Sequence, residues 1–429
     1  MKNNILNNYF FILFSIIPIS IVVGSAVSIV NILLIDLSFI FLIIYKKNFD
    51  FIKNKTFKII LLLYLYLIFN SLISQDFLIG AKRNFGFIRF IIFFAAFNYF
   101  FHVSKFFHKI LIIWAIILFL IILDVYFESY TGKNILGYGG GTRIFSFFKD
   151  EPIVGGYINA FYLIITGYFY FIFKDYPKRY KILFLIISTL LLISILLSGE
   201  RTNAIKAFIG FFIFYYFNKN FAFKEKAISF VVIITLFIGI FFSSDYLKLR
   251  YISQINNIIN SEEKIINSND TIKISETGEN SLYFRIYRSG LEVFKKYPLF
   301  GVGNKNFRLQ NTCVKDYVIN DGSDLYGTHL LCQTHPHQIY IEFLSEHGVV
   351  GSIVLFVILF KLIFSKFKTI LRSENYLQLG CVIYLSTIFV PVLPSGSFFN
   401  DYNLTLFLLN LSILYASNPK TNIFSKSEF

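Results

Sequence analysis

Apolar runs long enough to cross the roughly 30 Å hydrocarbon layer of a bilayer recur along the whole of this chain. They lie near residues 9–24, 26–45, 57–74, 85–101, 109–128, 153–173, 180–197, 203–217, 226–243, 337–363, 376–393 and 398–416. A single run in lipid can satisfy its backbone N–H and C=O groups only as a helix. The pattern therefore predicts an all-α integral membrane protein with about twelve transmembrane helices, one per run. Composition agrees: 56% of the 429 residues are hydrophobic and only 15% charged, with a mean hydropathy of +0.64, outside the range of soluble domains. Only one lysine precedes the first run, no small-residue cleavage site follows it, and another run comes directly after. It is expected to be a helix rather than a signal peptide.

Lysine and arginine set the expected orientation. KKNFDFIKNKTFK at 46–58, KDYPKRYK at 174–181, NKNFAFKEK at 218–226 and KLIFSKFKTILR at 361–372 fall on one side if the runs alternate, and that side is the cytoplasm. Both termini are then cytoplasmic, and the loops near 129–152, 244–336 and 394–397 are exported. The chain divides into N-terminal helices over 1–243, a large exported loop over 244–336 and C-terminal helices over 337–429. A net charge of +15 fits the positive-inside bias and anionic head groups. No basic aromatic groove or recognised module points to nucleic acid.

The exported loop ends in THPHQIYIEFLSEHGVVG, residues 334–351, and four of the six histidines (His329, His335, His337 and His347) fall here. Ionisable groups at a membrane edge are costly unless they act on something. Proline is welcome at the first helical position and disfavours helix for the residue before it. The expectation is that His335 caps a helix, Pro336 opens it and His337 lies in its first turn. There the backbone amides attract anions and keep the imidazole neutral, ready to accept a proton. Gln338 and Glu342, one turn apart, are placed to tether each other, while Gly348 and Gly351 allow close helix packing.

Elsewhere in the loop, 256–281 is polar, lacks aromatics and reads as a mobile linker. SLYFRIYRSGLEVFKKYP follows, with Phe284, Tyr287, Leu291 and Phe294 on one helical face and Arg285, Arg288, Glu292 and Lys295 on another. It reads as an amphipathic helix at the membrane interface. Its arginines either snorkel to head groups or turn into a cavity and hold phosphate. In PLFGVGNKNF, Gly301 and Gly303 mark a turn, not a nucleotide fingerprint. Cys313 and Cys332 are expected to form a disulfide in an oxidising compartment. In a second reading Cys332 joins His329, His335 and His337 around a metal, although no residue completes a familiar spacing. Cys381 lies inside an apolar run and reads as packing. Further arginines mark the exported edges: Arg83 and Arg89, Arg143 in GGGTRIFSFFKDEP, and Arg201 in SGERTNA, with Lys206 a turn further on. Glu200 and Arg201, in a connection of a few residues, must face protein or a polar cavity, as a functional pair or as an ion pair.

These residues resemble the bacterial O-antigen ligase and polymerase superfamily. His337 and Gln338, nine intervening residues, Gly348, two more and Gly351 match its signature, and SGERTN, RIYRSGLEVFKKYPLFGVGNKNF and RIFSFFKDEPIVGGYINA follow its order over about residues 143–365. The resemblance implies a metal-independent glycosyltransferase of the GT-C type. Its donor would be a glycan on undecaprenyl diphosphate, at the periplasmic face of the inner membrane. His337 would activate the acceptor hydroxyl, Arg201 and Arg285 would hold the diphosphate, and Arg143 and Arg288 would line the same cavity, with Gln338, Glu342 and His335 in support. One departure is Ile205, where the family often has leucine. The acceptor stays open: lipid A core for a ligase, another lipid-linked repeat for a polymerase, with the long loop favouring the ligase. A transporter is the alternative of another class, but no inverted repeat or paired broken helices accompany these edge charges.

Overall fold

A computed structural model describes residues 2–103, 106–141, 143–149, 151–251, 282–310 and 333–425. Each of the twelve apolar runs contains helix. The first divides into α1 (Lys2–Ser15) and α2 (Ile17–Val23), because Pro18 near the start of α2 has no N–H to continue the ladder. Then come α3 (Ser25–Lys46), α4 (Lys55–Leu72), α5 (Phe77–Gly86), α6 (Ile88–Val103), α7 (Phe107–Thr131), α8 (Val154–Ile172), α9 (Lys178–Leu197), α10 (Arg201–Phe217) and α11 (Phe223–Ser243). The stretch between α11 and the C-terminal helices contributes α12 (Leu282–Lys296), and the C-terminal part α13 (Ile339–Phe364), α14 (Phe367–Ser373), α15 (Tyr376–Thr387) and α16 (Asp401–Ala416). Among the described residues there is no strand, only an isolated bridge between Lys133 and Gly139. Helix α15 stops short of the predicted 393, since Pro391 and Pro394 cannot extend it.

Among the described residues, seven stretches are long and apolar enough to cross a membrane: Ser25–Lys46, Lys55–Leu72, Phe77–His102, Phe107–Thr131, Lys178–Leu197, Phe223–Ser243 and Ile339–Ser373. The chain is a multi-pass membrane protein. Helix α8 forms its centre, buried along most of its length against α9, α10 and α15, with Tyr157, Phe161, Tyr162, Tyr168 and Tyr170 enclosed. By contrast α11 buries only Ile233 among its own residues. Lipid is as apolar as these side chains, so tight packing rather than hydrophobicity selects the helices that assemble.

The four basic loops share one end of the bundle, as their spacing predicts. Asn54 donates to the Ile423 carbonyl, Asn375 to Ser417, and Lys219 pairs with Glu374 at 2.9 Å, while Lys178 pairs with Glu225.

A seam at the opposite end fixes the loop segment 298–303 to the bundle. Gly348 breaks α13, with φ 64° and ψ −172°, a region essentially reserved for glycine. The break frees backbone groups on both sides, and the 298–303 turn replaces their partners. Val349 N–H donates to Pro298 at 2.8 Å and Val350 N–H to Leu299 at 3.1 Å, while the Val302 and Gly303 amides donate to Ser345 at 3.0 Å and Glu346 at 2.8 Å. A Cβ on Gly348 would run into the Leu299 carbonyl. Its role is thus to admit a loop backbone, where the sequence suggests a neighbouring helix. Gly351 does serve helix packing, lying against Tyr66 of α4. The turn read from Gly301 and Gly303 is the other half of this seam.

Candidate functional site

Two polar corners lie at the seam end. The first is built around His335 and His337. Helix α13 begins at Ile339, with Gln338 as its N-cap and the Gln338 side chain accepting from the Ile341 amide at 2.9 Å. Three expectations change. His335 does not cap, Pro336 does not open the helix, and His337 precedes it in the left-handed region at φ 54°. That conformation costs a non-glycine residue about 1–2 kcal/mol and is held by the Ser395 amide, which donates to the His337 carbonyl at 2.7 Å. Gln338 is also not tethered to Glu342, and it occupies a backbone amide expected to attract an anion.

The two imidazoles lie 3.9 Å apart between centroids with their planes tilted by 38°, and His337 lies 6.3 Å from the ring of Tyr283, edge to face. Burial lowers the pKa of His337. For His335, burial acts first, then the charges of His337, Lys305 and Arg308, and the value falls to about 3. Neutral imidazole is the expected state, but its cause is lost water rather than the helix dipole.

Beneath the histidines, the buried Lys305 ammonium donates to Ser397. Ser397 Oγ in turn donates to Glu342 Oε1 at 2.5 Å, and the Phe398 amide donates to Oε2 at 3.0 Å. The burial of each charge is offset by this pairing. Residues 395–398 therefore hold both the His337 backbone and the Glu342 carboxylate. One turn along, buried His347 shares a hydrogen bond with the Tyr66 hydroxyl at 3.0 Å.

The second corner is built around the α9–α10 turn. Glu200 directs its carboxylate to the start of α8, accepting from the Gly155 amide at 2.5 Å, the Gly156 amide at 3.1 Å and Asn203 Nδ2 at 2.6 Å. A side chain at Gly155 would strike this carboxylate. Water is excluded there, and the Glu200 pKa rises to about 7 despite those donors and the Arg143 charge. Arg201 begins α10 and lies within electrostatic reach of Arg250, Tyr283, Arg143 and Tyr251. Tyr283 thus lies edge to face with His337 and within electrostatic reach of Arg201.

Helix α12 turns Arg285, Ile286, Ser289, Gly290 and Val293 inward. Phe284 and Leu291 remain outward, 48% and 38% exposed, where the expected membrane face lies. Arg285 is buried and Arg288 half-buried, but Glu292 and Lys295 are exposed, so the predicted polar face splits. Arg83 and Arg89 are engaged elsewhere, both pairing with Asp401 at the start of α16. Lys206 is buried within α10.

Arg250, Tyr283 and Lys305 were not singled out in the sequence. Arg250 carries the same signal as Arg201, a guanidinium just past an apolar run, whereas Lys305 looks like an ordinary loop lysine. Cys313, Cys332, His329 and the 256–281 linker lie outside the described residues; Cys381 is buried in α15. Among the described residues no group of three or more His, Cys, Asp and Glu is placed to hold a metal ion.

Fold and site together define a polytopic membrane protein with a neutral histidine near a cationic corner. Residues 183–356, from α9 into the second half of α13, match the family model described as O-antigen ligase. The match takes in Arg201, Arg250, Arg285 and His337 and supports a membrane O-antigen ligase-type function. No curated protein matches the chain.

Proposed function

We propose that this protein is a glycosyltransferase of the GT-C type that moves a glycan from undecaprenyl diphosphate to lipid A core, at the periplasmic face of the inner membrane. About twelve helices span the bilayer. Residues 1–243 and 337–429 would form the membrane body, and 244–336 a large periplasmic loop. The observation that carries this reading is the meeting at Tyr283 of a neutral His337 and the arginine corner.

In the reaction, His337 takes the proton of the acceptor hydroxyl while its oxygen attacks the anomeric carbon. The bond from that carbon to the phosphate oxygen breaks, and its electron pair stays on the diphosphate. Arg143, Arg201, Arg285 and Arg288 receive this charge as paired guanidinium donors. The cationic corner does the work a metal would otherwise do. Gln338 fixes the start of α13, Glu342 anchors the 395–398 segment that pins His337, and His335 supports the ring by packing against it.

The test is a deletion strain in which lipid-linked glycan and lipopolysaccharide are separated and sized. Long polymer stranded on the undecaprenyl carrier is the expected result. Single repeats stranded there, or one repeat capping lipid A, would make the protein a polymerase instead.

A further inference from the structure

The segment after α11 folds back onto the α9–α10 turn and carries Arg250 with it. Arg250 Nε donates to the Gly199 carbonyl at 3.2 Å, the Tyr251 hydroxyl donates to Leu196 at 3.2 Å, and Leu247, one turn before them, is fully buried. At Gly199 itself, where φ is +74°, a side chain would collide with the Tyr246 hydroxyl. Arg250 is therefore held at a defined place, against the residue that precedes the Glu200–Arg201 pair.

Cations gather at this corner. Arg143 and Arg250 both lie within electrostatic reach of Arg201, and Tyr246 senses Arg250 and Arg143 together with Glu128 and Glu200. Among the described residues these three guanidiniums, which stay charged at any working pH, face Glu128 and Glu200, and Asp124 beside Glu128 is itself bound to the Ile135 amide and the Ser146 hydroxyl. Both carboxylates are committed to backbone amides: Glu128 to Phe145 at 3.1 Å and Ser146 at 2.6 Å, Glu200 to Gly155 and Gly156. With its pKa at about 7, Glu200 is also only partly ionised at neutral pH. Like charges so gathered in a poorly hydrated place favour a bound anion.

We infer that Arg250 is a phosphate-binding residue acting beside Arg143 and Arg201, and that the three together suit a diphosphate rather than a monophosphate. This rests on the donor reading above. A glycosyl lipid diphosphate carries two negative charges, and a third appears on the phosphate oxygen as its bond to the sugar breaks, the acceptor proton going to His337. Three cations match that final count, whereas a lipid monophosphate engages only part of the corner.

The experiment measures binding of undecaprenyl diphosphate and undecaprenyl monophosphate to the full chain in nanodiscs, for wild type, Arg250→Gln and Arg250→Lys. Wild type should prefer the diphosphate by about tenfold or more, the contribution of one charge-assisted contact. Arg250→Gln should lose that preference with monophosphate affinity unchanged, and Arg250→Lys should recover part of it, having the charge without the fork. An unchanged preference in Arg250→Gln, with Arg201→Gln reducing it, would show that Arg250 only packs on Gly199 and would overturn the inference. If Arg250→Gln does not fold, Arg250→Lys decides: a smaller preference supports the role and a wild-type preference removes it. Wild type that binds neither lipid would bring down the donor reading, and this inference with it.

Discussion

The histidine corner and the arginine corner share one end of the bundle but are built in opposite ways. Around His337 the chain itself is the constraint: a left-handed residue after a proline, a capped helix start, an amide from Ser395 on its carbonyl, and a Lys305–Ser397–Glu342 chain beneath. Charge there is paired and the ring stays neutral. Around Arg201 the backbone is an ordinary helix start, the neighbouring Glu200 is turned toward α8, and cations gather. A proton acceptor needs a fixed ring at the right protonation state, and an anion holder needs unbalanced charge. In the proposed reaction the two halves of the transfer fall to these two places, with Tyr283 lying against one and within electrostatic reach of the other.

The contrast breaks most visibly at His337. His337→Ala should lower transfer by about 10²–10⁴-fold, the usual contribution of a general base, while donor binding and membrane insertion stay at wild-type levels. Turnover by radiolabelled glycan transfer, with a pull-down on the lipid donor, checks both. Arg201→Gln should show the reverse emphasis, weaker donor binding and about 10²-fold slower transfer, with Arg201→Lys in between. Equal loss of donor binding in both variants would erase the division.

Lys305→Met leaves Glu342 buried without its partner and should destabilise the protein by about 3–5 kcal/mol, whereas Lys305→Met with Glu342→Gln should cost less than the single change. Thermal unfolding in detergent reads the difference, and a double variant worse than both singles would contradict the pairing. Gly348→Ala attacks the seam and should cost about 1–3 kcal/mol for the backbone alone, seen as a lower melting temperature and easier proteolysis of the exported loop.

The smallest effect is in pH. His335 and His337 have folded pKa values below the ordinary 6.5, so the unfolded chain takes up their protons first. Stability should fall as pH drops from about 6.5 toward 3, and His335→Gln should flatten that slope. The acid limb of transfer should likewise lie below pH 6.5; a limb above it would mean a protonated ring in the resting site.

Helix positions were legible because each apolar run must satisfy its own backbone in lipid, and the shared end of the basic loops followed from their alternation. Local geometry was read less well where a side chain competed with the backbone. Pro336 suggested the helix start, yet Gln338 caps and moves it to Ile339. Arg285, Arg288, Glu292 and Lys295 share a face by spacing, but burial depends on α13 and the membrane beside α12, which spacing does not contain. The seam of 298–303 against Gly348 was hidden for a similar reason, since it pairs segments about forty residues apart through backbone groups that every residue has. Lys305 was missed because its partners, Ser397 and Glu342, come from two distant segments.

The most direct measurement is turnover by purified protein in proteoliposomes holding undecaprenyl-diphosphate-linked glycan and lipid A core, comparing wild type with His337→Ala at saturating donor. The two-corner account predicts transfer by wild type, undiminished by EDTA, and none above background in the variant although it retains bound donor. Wild-type turnover in His337→Ala would contradict it, and the proton would have to leave by another route.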